Sequence, residues 1–232
     1  GQSITFFEGA AQVQPWNRTQ RHAARVRLNV DHLLASAAIP FVFPAVKIHR
    51  EFFGDGSMRQ LAPISPAIYL GADRILVIGS GFMGEDPVRA STDTYPSFAQ
   101  IAGHAMASIF LDGLAVDLER IERINLLLSR LPRDLVESGV LGLREIRTLF
   151  IAPSRRIDLI AAEHVRALPG AMRKLLQGLG ATSGSGAMLA SYLLFEAPFT
   201  RALIDLGYRD TLERREELRA FLAPDRGTIR PD

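Results

Sequence analysis

The sequence predicts an α/β fold with a mostly helical C-terminal part, and three observations carry that prediction. Strand, turn, helix and strand follow one another between residues 46 and 78, the rhythm of α/β architecture. Residues 74–78 (RILVI) are an unbroken apolar run, of the kind found in a strand covered on both faces. From Pro96 onward apolar residues recur at helical spacing, most clearly Leu114, Leu118, Ile121, Ile124, Leu128 and Leu131.

Taken in order, residues 3–8 (SITFFE) and 25–30 (RVRLNV) read as strands, the second alternating basic and apolar side chains. Asp31 is a suitable N-cap for a short helix over 32–38, which Pro40 ends. Residues 46–48 and 51–53 read as the arms of a hairpin folded at His49 and Arg50, and Gly54-Asp55-Gly56-Ser57 follows as a tight turn. The helix over 65–71 has Ser65 as a cap, Pro66 in its first turn and Gly71 to close it. Within the helical half, Glu119 and Arg123 sit one turn apart on the polar side. Residues 146–152 (IRTLFIA) read as a further strand. Ile157, Ile160, Ala161, Val165 and Leu168 mark an amphipathic helix, with His164 on its apolar stripe. Residues 178–186 (GLGATSGSG) read as a connector. Helices resume through 191–198 and the charged tail, where Glu216 and Arg219 can pair.

Composition narrows the chemistry. The 232 residues are 47% hydrophobic and 22% charged, enough to bury a core and unlike a disordered tail. There are no cysteines, which excludes disulfides, a thiol nucleophile and Cys-ligated metal. A net charge of +2 gives no reason to expect a nucleic-acid partner. No continuous run approaches the roughly 20 apolar residues of a membrane span, and no secretory signal is visible.

The most concentrated signal is FFGDGSMRQLAPISPAI, residues 52–68. Asp55 lies between Gly54 and Gly56, just past a strand, where backbone without side chains lets another group approach. Alone, such a segment is an ordinary turn. Its surroundings add to it. Upstream lies ASAAIPFVFPAV (35–46); downstream come Arg59, Pro63, Pro66 and RILVIG. This order resembles the patatin-like phospholipases, with their small-residue block, their strand ending in D-G-[G/A], and their proline-punctuated helix and strand. FLDGLAVDLERIERIN and SYLLFEAPFTRALIDLGY resemble the helical end of a bacterial branch. Ser57 stands where that family has Gly or Ala.

The resemblance implies a three-layer α/β sheet domain whose first strands lie outside this chain. Residues 1–95 would belong to the catalytic domain, and residues 96–232 to a helical region packing on it. It implies a lipid acyl hydrolase with a Ser–Asp dyad, needing no cofactor and acting on a lipid or other acyl ester. Asp55 would be the catalytic base, with Gly54, Gly56 and Ser57 supporting the motif. The implied setting is the cytoplasm or the periphery of a membrane. No serine here has glycine two places before and two places after it; Ser183 and Ser185 fail on the preceding position. The chain alone is therefore expected to be inert. The alternative is a non-catalytic lipid- or partner-binding module with the same fold.

Other signals point to structure. Residues 79–84 match G-x-G-x-x-G, but Glu85, Asp86 and Pro87 follow, which repel a pyrophosphate and open no helix. The five histidines never fall three or four apart, so no metal site is expected. Asp112, Asp117, Glu119 and Glu122 read as a solvated helix face. Phe41, Phe43, Phe52 and Phe53 fit either an acyl pocket or an ordinary core. Arg18, Arg21, Arg25 and Arg27 suit either anionic headgroups or a soluble surface.

Overall fold

A computed structural model describes residues 2–19, 21–40, 42–60, 63–82, 95–180 and 187–224. The fold is mixed α/β, about half helical, with small sheets. Two compact units each draw on two stretches of chain: residues 1–75 with 105–147, and residues 76–104 with 148–232.

In the first unit, β1 (Ser3–Phe7) runs parallel to β3 (Arg21–Arg25), and β2 (Asn17–Arg18) pairs antiparallel with β3. The strand expected over 25–30 is therefore displaced. Ladder pairing stops after Val26, whose N–H reaches the Phe7 carbonyl at 3.0 Å. The Leu28 N–H then turns to the Glu8 carboxylate at 3.0 Å. Helix α1 (Val30–Ser36) starts before Asp31, and its cap is Asn29, whose side chain accepts the His32 N–H. Asp31 sits instead in the first turn, where its charge suits the helix dipole.

Helix α1 packs on β4 (Val46–Ile48), which forms a hairpin with β5 (Glu51–Phe53). Its register, Val46 opposite Phe53 and Ile48 opposite Glu51, leaves His49 and Arg50 as a two-residue turn. His49 takes φ 55°, the left-handed geometry such turns demand. After the turn at Asp55 comes α2 (Ser65–Tyr69), capped by Ile64 rather than Ser65. The Ile64 N–H is taken by the Asp117 carboxylate at 3.1 Å, so the helix begins one residue earlier than its serine indicates. Gly71 closes it with φ 98°. Arg144, from far along the chain, donates to the Ile68 and Ala72 carbonyls at 2.7 and 3.2 Å and to Asp73 at 3.0 Å. It thereby satisfies carbonyls that the end of a helix leaves open.

Strands β6 (Arg74–Ile78) and β7 (Arg147–Ile151) pair with each other alone among the described strands. Arg147 donates to the Asp73 carbonyl and Gly79 to that of Ile151. The expectation that 74–78 is covered on both faces is corrected: Ile78 is 77% exposed. Among the described residues no further strand lies beside this two-stranded ribbon, which leaves too few neighbours to enclose both faces.

Helix α3 (Phe98–Leu128) buries Ile121 and Leu128 of the expected stripe, while Glu119 and Arg123 pair across solvent at 3.8 Å. It is long and apolar enough, by length and composition, to cross a bilayer, which a search for continuous apolar runs overlooks because Gln100, His104 and Asp112 interrupt it. Its later half is nonetheless tied into the first unit: Asn125 exchanges two hydrogen bonds with the backbone of Ile146, at 2.8 and 3.1 Å. The short α4 (Arg133–Glu137) follows.

The second unit is built on α5 (Ile157–His164), α6 (Gly170–Gly178), α7 (Ala187–Ser191), α8 (Ala197–Glu213) and α9 (Arg215–Leu222). Ile160, Ala161, Val165 and Leu168 form its core, as their spacing predicts, with Ala99, Leu176, Leu194, Phe199 and Leu206. Residues 192–196 are the turn between α7 and α8 rather than helix. Glu216 and Arg219 pair at 3.2 Å. Of the expected connector, residues 181–186 lie outside the described residues, and Ser183 and Ser185 with them.

Candidate active site

Asp55 stands two residues beyond β5. Its N–H donates to the Ala38 carbonyl at 3.0 Å, tying the bend to the segment after α1. Its Oδ1 accepts the Ser57 N–H at 2.8 Å, so the side chain caps a 3₁₀ turn over Gly56–Met58. Short acidic side chains favour such positions because they bond the backbone locally. Oδ2 has no partner among the described residues, and Asp55 is half-buried. One carboxylate oxygen is thus fixed and the other is presented.

The glycines are not demanded by the bend itself. A Cβ on Gly54 would meet the Ala38 carbonyl at 3.5 Å, an ordinary contact, and one on Gly56 would meet nothing within 4 Å. Neither has positive φ. The open backbone beside Asp55 remains, but among the described residues nothing presses on it. Ser57 serves through its backbone, as the donor that orients the carboxylate.

Asp55 and Ser57 line a cavity of about 420 Å³. Its other walls come from β1, through Ser3 and Phe6, from α1, through His32 and Leu33, and from Phe53. Ser3 donates its hydroxyl to Gln60 at 3.1 Å. Phe6 meets both His32 and Phe53 edge to face, with centroids 4.9 and 5.3 Å apart, a favoured geometry for aromatic pairs. His32 is held through Nδ1 by Asn29, and its buried Nε2 has no partner among the described residues. Apolar walls with a few convergent polar groups are the usual make-up of a small-molecule site.

The four phenylalanines divide. Phe53 lines the cavity, Phe52 and Phe43 are exposed, and Phe41 lies outside the described residues. Neither the pocket nor the core reading covers them all, because neighbours on a strand face opposite ways. Among the arginines, Arg25 donates to the Ala11 and Val13 carbonyls, and Arg18 stacks 4.8 Å over Tyr69. Arg25 therefore ties a loop. Of the acidic run, Glu119 and Glu122 are solvated, but Asp117 is 5% exposed. That corrects the solvated reading for Asp117, whose burial follows from capping Ile64 and pairing with Arg120 at 3.5 Å.

His164 bonds the Ile160 carbonyl at 2.9 Å beside Phe199, as a half-buried structural residue. No group of three potential metal ligands occurs among the described residues. In the second unit, burial pushes the Tyr192 phenol above its usual range.

The first glycine of the G-x-G-x-x-G match has a structural cause. A Cβ on Gly79 would stand 2.7 Å from Phe150 Cε2, closer than real contacts allow. Residues 83–90, the rest of that motif and the acidic segment after it, lie outside the described residues. Gly79→Ala is expected to destabilise the chain by about 1–3 kcal/mol through overpacking. Urea unfolding measures it, and an unchanged midpoint would mean that the Phe150 ring yields freely.

No protein-family model, curated protein or solved structure matches this chain. Of the residues singled out from the sequence, Asp55, Gly54, Gly56, Ser57 and Phe53 line the cavity. Ser3, His32 and Leu114 join them only through folding, and their sequence neighbourhoods give no sign of it.

Proposed function

We propose that this chain carries the basic half of a serine acyl-hydrolase site, with Asp55 as the base and the nucleophilic serine supplied by polypeptide outside the 232 residues. The supporting observation is the asymmetry of the Asp55 carboxylate, one oxygen held by the Ser57 N–H and the other open beside an apolar cavity. The three-layer patatin-like architecture belongs to the same proposal.

In this mechanism Asp55 Oδ2 takes the proton of the serine hydroxyl as the serine oxygen bonds to the acyl carbonyl carbon. Collapse of the tetrahedral adduct breaks the ester C–O bond, and the departing alkoxide takes the proton from Asp55. Water, deprotonated by the same carboxylate, then attacks the acyl-serine. Its collapse releases the fatty acid and returns the proton to the serine. The cavity walls hold the acyl chain, and the setting is cytoplasmic or at the periphery of a membrane. No cofactor takes part.

A non-catalytic lipid- or partner-binding module is the second reading, favoured by the absence of Gly-x-Ser-x-Gly from the chain. A soluble chromogenic ester separates the two. The 232 residues alone are expected to give no turnover, and fusing the polypeptide encoded upstream of Gly1 is expected to restore it. Turnover by the chain alone would overturn the external serine, and an inert fusion would favour the binding module.

A further inference from the structure

The mouth of the Asp55 cavity is more apolar than a water-facing surface requires. Helix α1 has only seven residues, yet Val30, Leu33 and Leu34 are 66%, 69% and 54% exposed. Leu28, just before the helix, is 43% exposed. Leu28 and Leu33 also line the cavity, so this aliphatic ridge is continuous with the site's rim. The inner side of the same segment is small and closed, with Ala35 and Ala38 buried.

From these observations we infer that α1 seats the cavity mouth on an anionic lipid surface, with Val30, Leu33 and Leu34 entering the acyl layer. Four side chains are far too few for a stable protein interface, which buries about 800 Å² and some 20–30 residues a side. They suit shallow insertion, in which an apolar helix face sinks roughly 5–10 Å into the boundary between headgroups and acyl chains. Charge agrees: the first sixty residues hold seven arginines and lysines against four carboxylates. Arg27 is exposed beside Leu28, and Lys47 lies on the strand that α1 packs against, 5.8 Å over the exposed Phe52 ring. Cations flanking an insertion ridge draw it to anionic headgroups. This inference rests on the acyl-hydrolase reading for the nature of the substrate, but its test requires no turnover.

The 232-residue chain is sedimented with phosphatidylcholine vesicles, with and without about a third phosphatidylglycerol. The chain is expected to pellet with the anionic vesicles. Leu33→Ser with Leu34→Ser should weaken partition about tenfold or more, with unchanged circular dichroism because both side chains face solvent. Arg27→Glu should weaken it at low salt while keeping the ridge intact, which guards against a misfolded double variant. Because the 232 residues alone are expected to give no turnover, sedimentation reads docking by itself, and failure of the acyl-hydrolase reading shows only in the separate ester assay. A chain that stays in the supernatant overturns the inference. So does a double variant that pellets like the parent, or a dimer in solution that the double variant dissolves, since a second copy would then be the occupant.

Discussion

Replacing Asp55 by asparagine, in a protein that also supplies the serine, is expected to lower ester turnover by about 10²–10⁴-fold, the usual contribution of a positioned general base. Thermal unfolding should hardly move. The reason lies in the bond that fixes the bend: an asparagine side-chain oxygen still accepts the Ser57 N–H at the position where Oδ1 now stands 2.8 Å away. What disappears is the proton affinity of the open oxygen. Structure and catalysis are thus carried by different atoms of one side chain, and the asparagine variant separates them. A variant that keeps full turnover would remove Asp55 from the mechanism. One that unfolds would show that its charge also supports the turn.

The second large effect is on stability. Asp117→Ala is expected to cost about 1.5–3 kcal/mol in urea or thermal unfolding, the range for a hydrogen bond to a charged group. The Ile64 N–H would lose its acceptor while staying enclosed, for Ile64 itself is 4% exposed. Asp117→Asn should recover much of that loss, since an amide oxygen can still accept. The pairing with Arg120 adds little, because Arg120 is largely solvated and exposed ion pairs contribute at most about 1 kcal/mol. An alanine variant as stable as the parent would mean that water replaces the carboxylate.

Local features of the fold could be read from the sequence. The hairpin at His49 and Arg50 is specified by alternating side chains and a two-residue gap, and β6 and β7 by short apolar runs. The bend at Asp55 was legible for the same reason, being set by its immediate neighbours. Sequence pattern and structure part where two local choices are nearly equal. Asn29 and Asp31 are both good caps, and the choice falls to Asn29 because the His32 ring bonds back to it. Ser65 is a better cap than Ile64 by propensity, yet a carboxylate 53 residues away takes the Ile64 N–H. The cavity walls away from the Asp55 segment are illegible in sequence, since they come from β1, α1 and Leu114 of α3, and chain separation carries no mark of such meetings.

The interleaving of the two units bears on how the molecule can be dissected. Severing the chain between Arg147 and Thr148 leaves the Asp55 unit with all of its own residues. The C-terminal fragment, in contrast, forfeits Ala99, a fully enclosed member of its core whose N–H bonds the Leu179 carbonyl. A protease cut there leaves one unit complete in residues and the other short of them, and it parts β6 from β7; no single scission leaves both units complete.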